Sequence, residues 1–375
     1  MLKIGVLKEP STESRVSLTP DGVAALIKKN TAILIEEDAG LKASFSNIQF
    51  EKAGATVCSR TEILQECDLL LSINAPADDE LHTVAAHQTV LIGIFQPLFH
   101  APKIKEWAEK GLCIFSLDTL PRTTRAQSMD VLSSQANIAG YKAVLVAANT
   151  YPRYFPMFMT AAGSIPPAKV LILGAGVAGL QAIATARRLG AVVEVFDTRP
   201  AVKEEVMSLG AKFVEVEGAA DASNAGGYAV EQSEDFKQKQ KQKITEHAAK
   251  ADIIITTAQI PGKPAPVLIT RAMIGNMKSG SVIVDLAAAT GGNTECTKNM
   301  ETVIENKVTI IGNSALPATM PADASKMYSK NVQNFLKLII DEDGNLNLNF
   351  EDDLVKGCCI AYDGKVTHEG TAQLL

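Results

Sequence analysis

The chain has 375 residues, of which 46% are hydrophobic and 21% charged, and its formal net charge is −6. This composition is typical of a soluble globular protein, and the length is enough for about two domains with separate cores. The acidic balance provides no basic surface, so we expect no nucleic-acid partner. Since the sequence shows neither a secretory leader nor a run of about 18 apolar residues, we expect a cytoplasmic protein without a membrane span.

The six cysteines show no C-x-x-C spacing, and no paired histidines accompany them. Thiols without metal-ligand spacing are typical of a reducing compartment. We therefore expect reduced, mostly buried thiols and no metal site. The cysteines are Cys58, Cys67, Cys113, Cys296, Cys358 and Cys359, and the histidines are His82, His87, His100, His247 and His368.

The first third of the chain alternates short apolar runs with helical or turn-rich segments. Such alternation predicts a doubly wound α/β sheet. No glycine fingerprint accompanies these runs, so we interpret the region as a substrate or partner domain rather than a nucleotide domain. The runs cover residues 2–7, 32–36, 68–73, 89–95 and 112–117.

The most informative stretch is AKVLILGAGVAGLQAIATARRLGAVVEVFDTR at 168–199, which follows a helical pattern at 133–151. It reads as a strand, a glycine turn, a helix and a second strand. Gly174, Gly176 and Gly179 have the G-x-G-x-x-G spacing. The three glycines allow a tight turn, close approach of the backbone to a pyrophosphate, and close packing of helix on strand. The helix N-terminus then offers free N–H groups to a phosphate.

Asp197 ends the second strand of this unit, about 20 residues after the turn, where an acidic residue is expected to bind the ribose hydroxyls. A carboxylate there repels a 2′-phosphate, so Asp197 favours NAD over NADP. Arg199 has two interpretations that the sequence leaves open: a cofactor contact, or a solvated arginine at the start of a loop.

Three further apolar runs, at 251–258, 281–287 and 308–312, are predicted to complete a parallel sheet around this unit. A helical pattern at 322–340 returns the chain to the first domain, and Asp363 and Gly364 predict a type I′ hairpin near the end. We therefore expect two doubly wound Rossmann-like domains with a cleft between them. The first domain is discontinuous, comprising 1–133 and 322–375, and the NAD(H)-binding domain is 134–321.

The stretch at 224–243 is polar and rich in glycine and charge. It is either a solvated loop with a helical end or a mobile lid. Tyr228 in this stretch is then either a surface aromatic or part of the lid.

Motifs along essentially the whole chain resemble the NAD(H)-binding component, domain I or the alpha subunit, of proton-translocating NAD(P) transhydrogenase, in the family that includes alanine dehydrogenases. The segments PRTTRAQSMDVLSSQANIAGY and MTAAGSIPPAKVLILGAGVAGLQAIATARRLGA are the most specific. Other matching segments are KEPSTESRVSLTP, INAPADDE, ITTAQIPGKPAP and VDLAAATGGN.

The resemblance implies roles for individual residues. Arg122, Gln127 and Asp130 match residues on a loop that touches the nicotinamide end, with Ser133 nearby, and Tyr228 matches a residue of a mobile loop that closes on NAD(H). The full predicted cofactor-binding set is Ser133, Gly174, Gly176, Val177, Ala178, Gly179, Asp197, Thr198, Arg199, Gly227, Tyr228, Ala258 and Gln259.

Chemistry supports the assigned loop. A glutamine both donates to and accepts from a carboxamide, so Gln127 can fix the presented face of the nicotinamide, while Arg122 and Asp130 can pair to hold the loop. Hydride transfer requires two rings at near-attack distance, about 3–3.5 Å between reacting atoms, and positioning supplies much of the catalysis. Without the resemblance, a surface salt bridge beside a helix-start glutamine would be the preferred interpretation.

The sequence departs from the alanine dehydrogenase pattern at the groups that move protons. The lysine-bearing K-V-K-E-P segment is matched by residues 72–76, the catalytic histidine falls at or near Gln96, and the aspartate of V-D-V-A-I-D is matched by Ala289. An amino-acid dehydrogenase needs a general acid or base, whereas direct hydride transfer does not. Arg15 remains, and we interpret it as a structural arginine that pairs with Glu9 or Glu13.

The resemblance therefore implies a subunit that exchanges hydride between its own NAD(H) and NADP(H) on a separate partner domain. It also implies a membrane subunit that conducts protons, a homodimer of this component, and peripheral association with the inner membrane through the partners. Two alternatives stay open: an amino-acid dehydrogenase and a non-catalytic NAD-binding regulatory protein.

Overall fold

The structure is a computed structural model that describes residues 1–77, 80–82, 84, 89–218 and 233–375. The chain divides into two compact units, one made of residues 1–135 and 317–375 and the other of 136–316. The boundaries predicted from the sequence fall a few residues from these. Helices and strands are numbered below along the whole chain.

The first unit is built on a mixed sheet flanked by helices. Its strands are β1 Lys3–Val6, β2 Ala32–Glu36, β3 Thr56–Cys58, β4 Leu69–Leu71, β5 Val90–Gly93, β6 Cys113–Ser116, β16 Cys359–Tyr362 and β17 Lys365–Val366. Its helices are α1 Pro20–Ile27, α2 Asn47–Lys52, α3 Arg60–Glu66, α4 Ala101–Glu109, α10 Pro321–Ile339, α11 Asp353–Cys358 and α12 Glu369–Ala372. The strand order is β17-β16-β6-β5-β4-β1-β2-β3.

The five predicted strands of this sheet are confirmed, and the described residues add three more, β3, β16 and β17. β1 to β6 run parallel, as expected for a doubly wound sheet, and β3 was missed because its three residues are half exposed. β16 and β17 join antiparallel at the edge beside β6. The turn between them has φ 48° at Asp363 and φ 72° at Gly364, the left-handed pair that a type I′ turn requires, so the predicted hairpin is confirmed.

Alternate residues of each central strand face two different cores. In β4, Leu69 and Leu71 belong to a cluster with Tyr328 and Phe335 of α10, whereas Leu70 packs in a second cluster with Trp107 of α4. The two-residue side-chain period of a strand produces this division, and helices therefore cover both faces of the sheet.

The second unit repeats the arrangement. Its strands are β9 Lys169–Leu173, β10 Val192–Phe196, β11 Lys212–Phe213, β12 Ile253–Thr256, β13 Val282–Asp285, β14 Thr302–Glu305 and β15 Val308–Ile311, in the order β11-β10-β9-β12-β13-β15-β14. A separate hairpin contains β7 Phe158–Thr160 and β8 Gly163–Ile165. The helices are α6 Val177–Arg188, α7 Lys203–Ser208, α8 Glu234–Ala248 and α9 Arg271–Gly275; α5, Val131–Thr150, begins in the first unit and ends in the second.

The three runs predicted to complete the parallel sheet do so as β12, β13 and β15, but one edge strand was missed. β14 pairs antiparallel with β15 through a turn in which Asn306 and Lys307 both have positive φ. The strand alternates exposed and half-buried residues, so it lacks the continuous apolar run by which the other strands were recognised.

The polar stretch at 224–243 has the predicted helical end, because α8 starts at Glu234, with the Ser233 hydroxyl accepting from the Phe236 amide. Gly227 and Tyr228 lie outside the described residues, so their assignment to a loop that closes on the cofactor stays a prediction.

All six cysteines are free thiols, and five of them are buried, as expected. Within the described parts of the chain, every helix is too short or too polar to cross a bilayer. These described residues contain no cluster of three or more histidine, cysteine or carboxylate side chains able to hold a metal ion.

Candidate functional site

The glycine turn of the second unit has the geometry of a phosphate-binding loop, and its glycines are required for different reasons. Gly174 has φ 106°, a backbone conformation that favours glycine. A Cβ on Gly179 would lie 1.9 Å from the Gly174 carbonyl oxygen, so no side chain fits between β9 and α6. A Cβ on Gly176 would meet no atom within 4 Å, so the space beside Gly176 is open to a ligand.

The N-terminus of α6 points its first amides toward this open space. Gly176 is the N-cap, and the first helical hydrogen bond runs from the Leu180 amide to the Gly176 carbonyl. The amides of Val177 and Ala178 therefore lack an acceptor within the helix. Free amides at the positive end of a helix dipole suit a phosphate.

Gly140 of α5 was missed by the sequence reasoning, although it fixes the same helix start. A Cβ there would lie 2.0 Å from the Ala178 carbonyl oxygen. One turn away, the Asn137 side-chain amide donates to Gln181 at 3.2 Å. The glycine within the motif SSQANIAGY was the available signal.

Asp197 lies where a ribose-binding acid is expected, one residue beyond β10 and beside the glycine turn. Its carboxylate accepts from the Ala175 amide at 2.7 Å and from the Arg199 amide at 2.8 Å. The Arg199 guanidinium adds bonds from Nε at 2.9 Å and Nη2 at 2.7 Å. This ion pair is mostly buried, and Asp197 raises the pKa of Arg199 through hydrogen bonding first and charge second.

This contact revises the two interpretations of Arg199, because the residue is ion-paired rather than solvated. A carboxylate has about four lone-pair sites, and the four bonds to Asp197 use them all. Ribose hydroxyls can bind Asp197 only if Arg199 gives up some of its contact. Thr198, between the two, is half-buried.

The loops that follow β12 and β13 complete this edge of the sheet. Leu173 pairs with Phe196 on one side and Thr256 on the other, so the ends of β9, β10 and β12 lie together. Ala258 and Gln259 lie just beyond β12, and the Gln259 side chain donates to the Leu286 carbonyl at 3.0 Å.

Asn293, whose motif was recognised without a role for this residue, holds these two loops together. Its fully buried side chain accepts from the Ala258 amide at 3.1 Å and donates to the carbonyls of Ala258 at 2.9 Å and Pro266 at 2.8 Å. Its own amide donates to the buried Asp285 carboxylate at 2.6 Å. Asn293 thus fixes the predicted cofactor contact at Ala258.

The loop predicted to touch the nicotinamide belongs to the first unit, and so does Ser133. In this loop the side chains of Arg122 and Gln127 are exposed. Asp130 caps the start of α5, since its carboxylate accepts from the Ser133 amide at 2.8 Å and the Ser133 hydroxyl at 2.5 Å. The loop is therefore tied to the helix that follows it.

Two anchors of this loop were not recognised in the sequence. Arg125 forms ion pairs with Asp352 and Asp353 at the start of α11, and the Ser128 carbonyl accepts from the side chains of Asn331 and Asn334, each at 3.0 Å. These contacts hold the backbone on both sides of Gln127. Their partners lie about 200 residues away in sequence, so no local pattern reveals them.

Positions that would move protons in an amino-acid dehydrogenase carry other residues here. Gln96, Asn74 and Ala289 are exposed and have no titratable group. Arg15 forms a two-point ion pair with Glu13, at 2.9 and 2.7 Å, and a bond to Gln135 at 2.8 Å. The structural interpretation of Arg15 is therefore confirmed for Glu13.

Glu9, the other expected partner of Arg15, has a different role. Its carboxylate accepts from the Ile73 amide at 2.5 Å and from the backbone and side-chain nitrogens of Asn74 at 3.0 and 2.9 Å. Burial raises the pKa of Glu9 above its ordinary value, against the lowering effect of these bonds. The carboxylate fixes the chain that follows β4.

Two doubly wound sheets, one with a complete glycine turn and a strand-end acid, define a nucleotide-binding α/β protein of the Rossmann type. Family models described as Alanine dehydrogenase/PNT, N-terminal domain, and Alanine dehydrogenase/PNT, C-terminal domain, match residues 5–139 and 143–369. The chain belongs to the alanine dehydrogenase/PNT family.

The family members that match this chain at 43–45% identity are transhydrogenase subunits. NAD(P) transhydrogenase subunit alpha of Haemophilus influenzae is 45% identical over 96% of this chain and 71% of its own length. The first of the chains that make up NAD(P) transhydrogenase subunit alpha in Rhodospirillum rubrum is 43% identical over 98% of each chain. The crystal structure of transhydrogenase from Sinorhizobium meliloti superposes with a TM-score of 0.88, at 43% identity, over 97% of this chain and 99% of that one. An L-alanine dehydrogenase, at 22% identity, 100% and 99% coverage and TM-score 0.82, shares the fold.

Substitution of the second and third glycines of the turn should have separable effects. Gly179→Ala places a methyl against a backbone carbonyl, so we expect it to lower the free energy of unfolding by about 3 kcal/mol. Gly176→Ala enters open space and should leave that free energy within about 0.5 kcal/mol. The same methyl should weaken NADH binding about tenfold, since it occupies the approach to the amides of α6.

Urea unfolding and NADH fluorescence titration of both variants make this measurement. Gly275→Ala at the end of α9 is a control for NADH binding, because a Cβ there meets only the Asn306 side chain, at an ordinary contact distance of 3.5 Å. Unchanged NADH affinity in Gly176→Ala would remove this glycine from the proposed phosphate site.

Proposed function

We propose that this chain is the NAD(H)-binding subunit of a transhydrogenase, which exchanges hydride directly between its NAD(H) and NADP(H) bound on a separate partner domain. One observation carries the proposal: an intact glycine turn occurs in a chain whose proton-transfer positions hold Gln96, Asn74 and Ala289. The similarity to transhydrogenase alpha subunits supports it.

The residues of the second unit fit a bound dinucleotide. The amides at the start of α6 suit the diphosphate, and Asp197 suits the adenosine ribose once Arg199 yields some of its contact. NADH supplies a hydride, and its transfer to NADP⁺ yields NAD⁺ and NADPH without a proton entering or leaving. The chain therefore has only to bind, orient and exclude water at that step.

In this proposal Gln127 orients the carboxamide of the nicotinamide, and Arg122, Asp130 and Ser133 form the rest of its loop. The loop has the rigidity that such positioning needs, because Asp130 caps α5 and Arg125 is anchored to Asp352. A positioning error of about 1 Å costs about 100-fold in rate.

The proposed partners are an NADP(H)-binding domain and a membrane subunit that conducts protons. The chain would then be cytoplasmic and held at the inner membrane by these partners. Energy coupling would depend on the partners, since the proposed hydride step moves no proton in this chain.

We also propose a homodimer that forms through the β7–β8 hairpin. This hairpin exposes Met159 at 80%, Met157 at 59% and Phe158 at 42%, and Tyr154 beside it at 55%. The ring centroids of Tyr154 and Phe158 are 4.5 Å apart, so the two rings pack edge to face. Tyr154 therefore extends the apolar surface of the hairpin. Exposed clusters of this kind mark protein interfaces.

For the dimer, Met159→Glu places a charge at the most exposed point of this surface and should convert dimers to monomers at micromolar concentration. Sedimentation velocity gives the measurement. Met207→Glu, on α7 and 56% exposed, is the matched control and should stay dimeric. A dimer that persists in Met159→Glu, or a monomeric unmodified chain, would exclude the hairpin as the dimer interface.

A mixing experiment tests the hydride-transfer proposal. The purified chain is combined with a transhydrogenase NADP(H)-binding domain, and reduction of an NAD analogue by NADPH is followed. Pyruvate, ammonia and NADH without the partner form the control. We expect turnover only with the partner. Pyruvate reduction alone would identify an amino-acid dehydrogenase, and NADH binding without hydride transfer in either mixture would identify a non-catalytic binding protein.

The role of Gln127 has its own test. Gln127→Asn shortens the side chain by one methylene and should slow hydride transfer about 100-fold while changing NADH affinity less than about threefold, because it disturbs ring placement rather than adenosine contacts. Stopped-flow transfer rates and NADH titration separate the two effects. Gln373→Asn, on an exposed turn of the same unit, should change neither. Equal losses of rate and affinity would reject the orienting role.

A further inference from the structure

A polar crevice lies in the first unit where the strand order reverses. In the order β3-β2-β1-β4-β5-β6 the chain leaves β1 toward one side and returns to β4 on the other. Ligands of doubly wound sheets bind at the carboxyl ends of strands beside such a reversal. The crevice has a volume of about 370 Å³, and its polar lining residues are Lys8, Glu9, Glu36, Arg60, Ser72, Asn74 and Glu80. We call it the first-unit crevice.

The backbone register makes this crevice the counterpart of the glycine-turn site. Val6 pairs with Ile35 in the first unit as Leu173 pairs with Phe196 in the second. Glu36 directly follows Ile35, and Asp197 directly follows Phe196, so the two acids occupy equivalent positions in the two units. In both units that carboxylate accepts, at 2.7 Å, from the amide two residues beyond the first strand.

An arginine also closes on the acid in each unit. Arg60, the first residue of α3, donates from Nη1 to Glu36 at 2.7 Å, and Arg199 donates from Nη2 to Asp197 at 2.7 Å. Arg60 also pairs with Glu80. The first-unit crevice therefore retains the acid and the cation of a ribose-binding edge.

The segments beyond the fourth strand correspond as well. Val6 pairs with Leu71 as Leu173 pairs with Thr256, which places Ser72 at the position of Thr257. The Thr257 hydroxyl is satisfied by the carbonyls of Leu173 and Gly174 at 3.3 and 3.2 Å.

The Ser72 hydroxyl is different. Ser72 is only 3% exposed and lines the crevice, and its hydroxyl has no hydrogen-bond partner among the described residues. A buried polar group without a partner is costly unless a bound molecule satisfies it.

In the first unit, the Glu9 side chain occupies the position that corresponds to the phosphate-binding part of the glycine-turn site. Glu9 stands three residues beyond β1, where the second unit has Gly176 three residues beyond β9. Its carboxylate accepts hydrogen bonds from the Ile73 and Asn74 amides. The first helix of this unit begins only at Pro20, so no helix N-terminus follows β1 directly. A diphosphate would meet this carboxylate instead of a helix N-terminus.

We propose that the first-unit crevice binds the vicinal diol of a nucleoside that carries no phosphate, with Glu36 accepting from a ribose hydroxyl and Ser72 bonding to the same sugar. Its volume is near the lower limit for small-molecule sites, which suits a nucleoside rather than a dinucleotide. Leu7, Pro10 and Pro76 supply apolar lining for a base. The ribose assignment rests on the proposed NAD(H) site, because Asp197 is the counterpart from which it is read.

Adenosine is the probe. The full chain is first saturated with NADH, so that the second-unit site is occupied, and is then titrated with adenosine by calorimetry. We expect saturable binding that weakens about tenfold in Glu36→Gln, which loses a charge-assisted hydrogen bond. Glu37→Gln, the same change on the exposed neighbouring residue, should bind as the unmodified chain does. Absence of saturable adenosine binding under these conditions overturns the proposal.

Ser72→Ala separates ligand binding from folding. Removing a hydroxyl that has no partner among the described residues should leave the melting temperature unchanged or raise it, whereas adenosine should bind severalfold more weakly. Unchanged adenosine affinity in Ser72→Ala overturns the proposal. AMP should bind this crevice more weakly than adenosine, and D-ribose should bind in a Glu36-dependent manner; tighter AMP binding would show a phosphate site and overturn it.

NADH binding is measured in the same experiments and distinguishes the two proposals. Failure of NADH to bind would reject the proposed function, while the comparison of adenosine binding in Glu36→Gln and Glu37→Gln would still test the crevice. NADH binding without saturable adenosine binding would reject the crevice alone.

Discussion

The second unit depends on one close approach, the contact of Gly179 with the carbonyl of Gly174. Because a Cβ would lie 1.9 Å from that oxygen, α6 can pack this tightly on the turn after β9 only without a side chain there. Gly140 makes a similar approach from α5 to Ala178. The start of α6 is thus fixed from two sides, and its amides point into the open space at Gly176. Backbone sterics, rather than any charged residue, create the proposed phosphate site.

In both units a side chain holds the backbone amides that follow the fourth strand, β4 or β12, but the two side chains differ in charge. In the first unit the Glu9 carboxylate holds the amides of Ile73 and Asn74; in the second the neutral Asn293 side chain holds the amide of Ala258, the counterpart of Ile73. A carboxylate satisfies two donors but places negative charge at the strand edge. A carboxamide accepts and donates without charge, so it secures the loop of the second unit without repelling an approaching phosphate.

Local sequence predicted those features that local chemistry decides. Continuous apolar runs marked the central strands, and Asp363 with Gly364 marked the hairpin, because each depends on neighbouring residues alone. β14 was missed since an exposed antiparallel edge lacks such a run. In the site, the spacing of Gly174, Gly176 and Gly179 was informative, whereas the anchors of the 121–130 loop were not, because Arg125 meets a partner 227 residues away. The sequence likewise left two interpretations of Arg199 open, because its contact with Asp197 depends on side-chain geometry.

The distribution of charge in the first unit favours a chemistry of positioning over one of proton transfer. Glu13 is tied to Arg15, and its pKa lies below the ordinary value because the bonds and charge of that arginine outweigh burial. Glu9 is committed to backbone amides, and Gln96 has no proton to exchange at physiological pH. The strong polar contacts instead hold the loop in place, at Arg125 before Gln127 and at Ser128 and Asp130 after it. In the proposed function this loop orients the nicotinamide ring, and such orientation supplies much of the catalysis of hydride transfer.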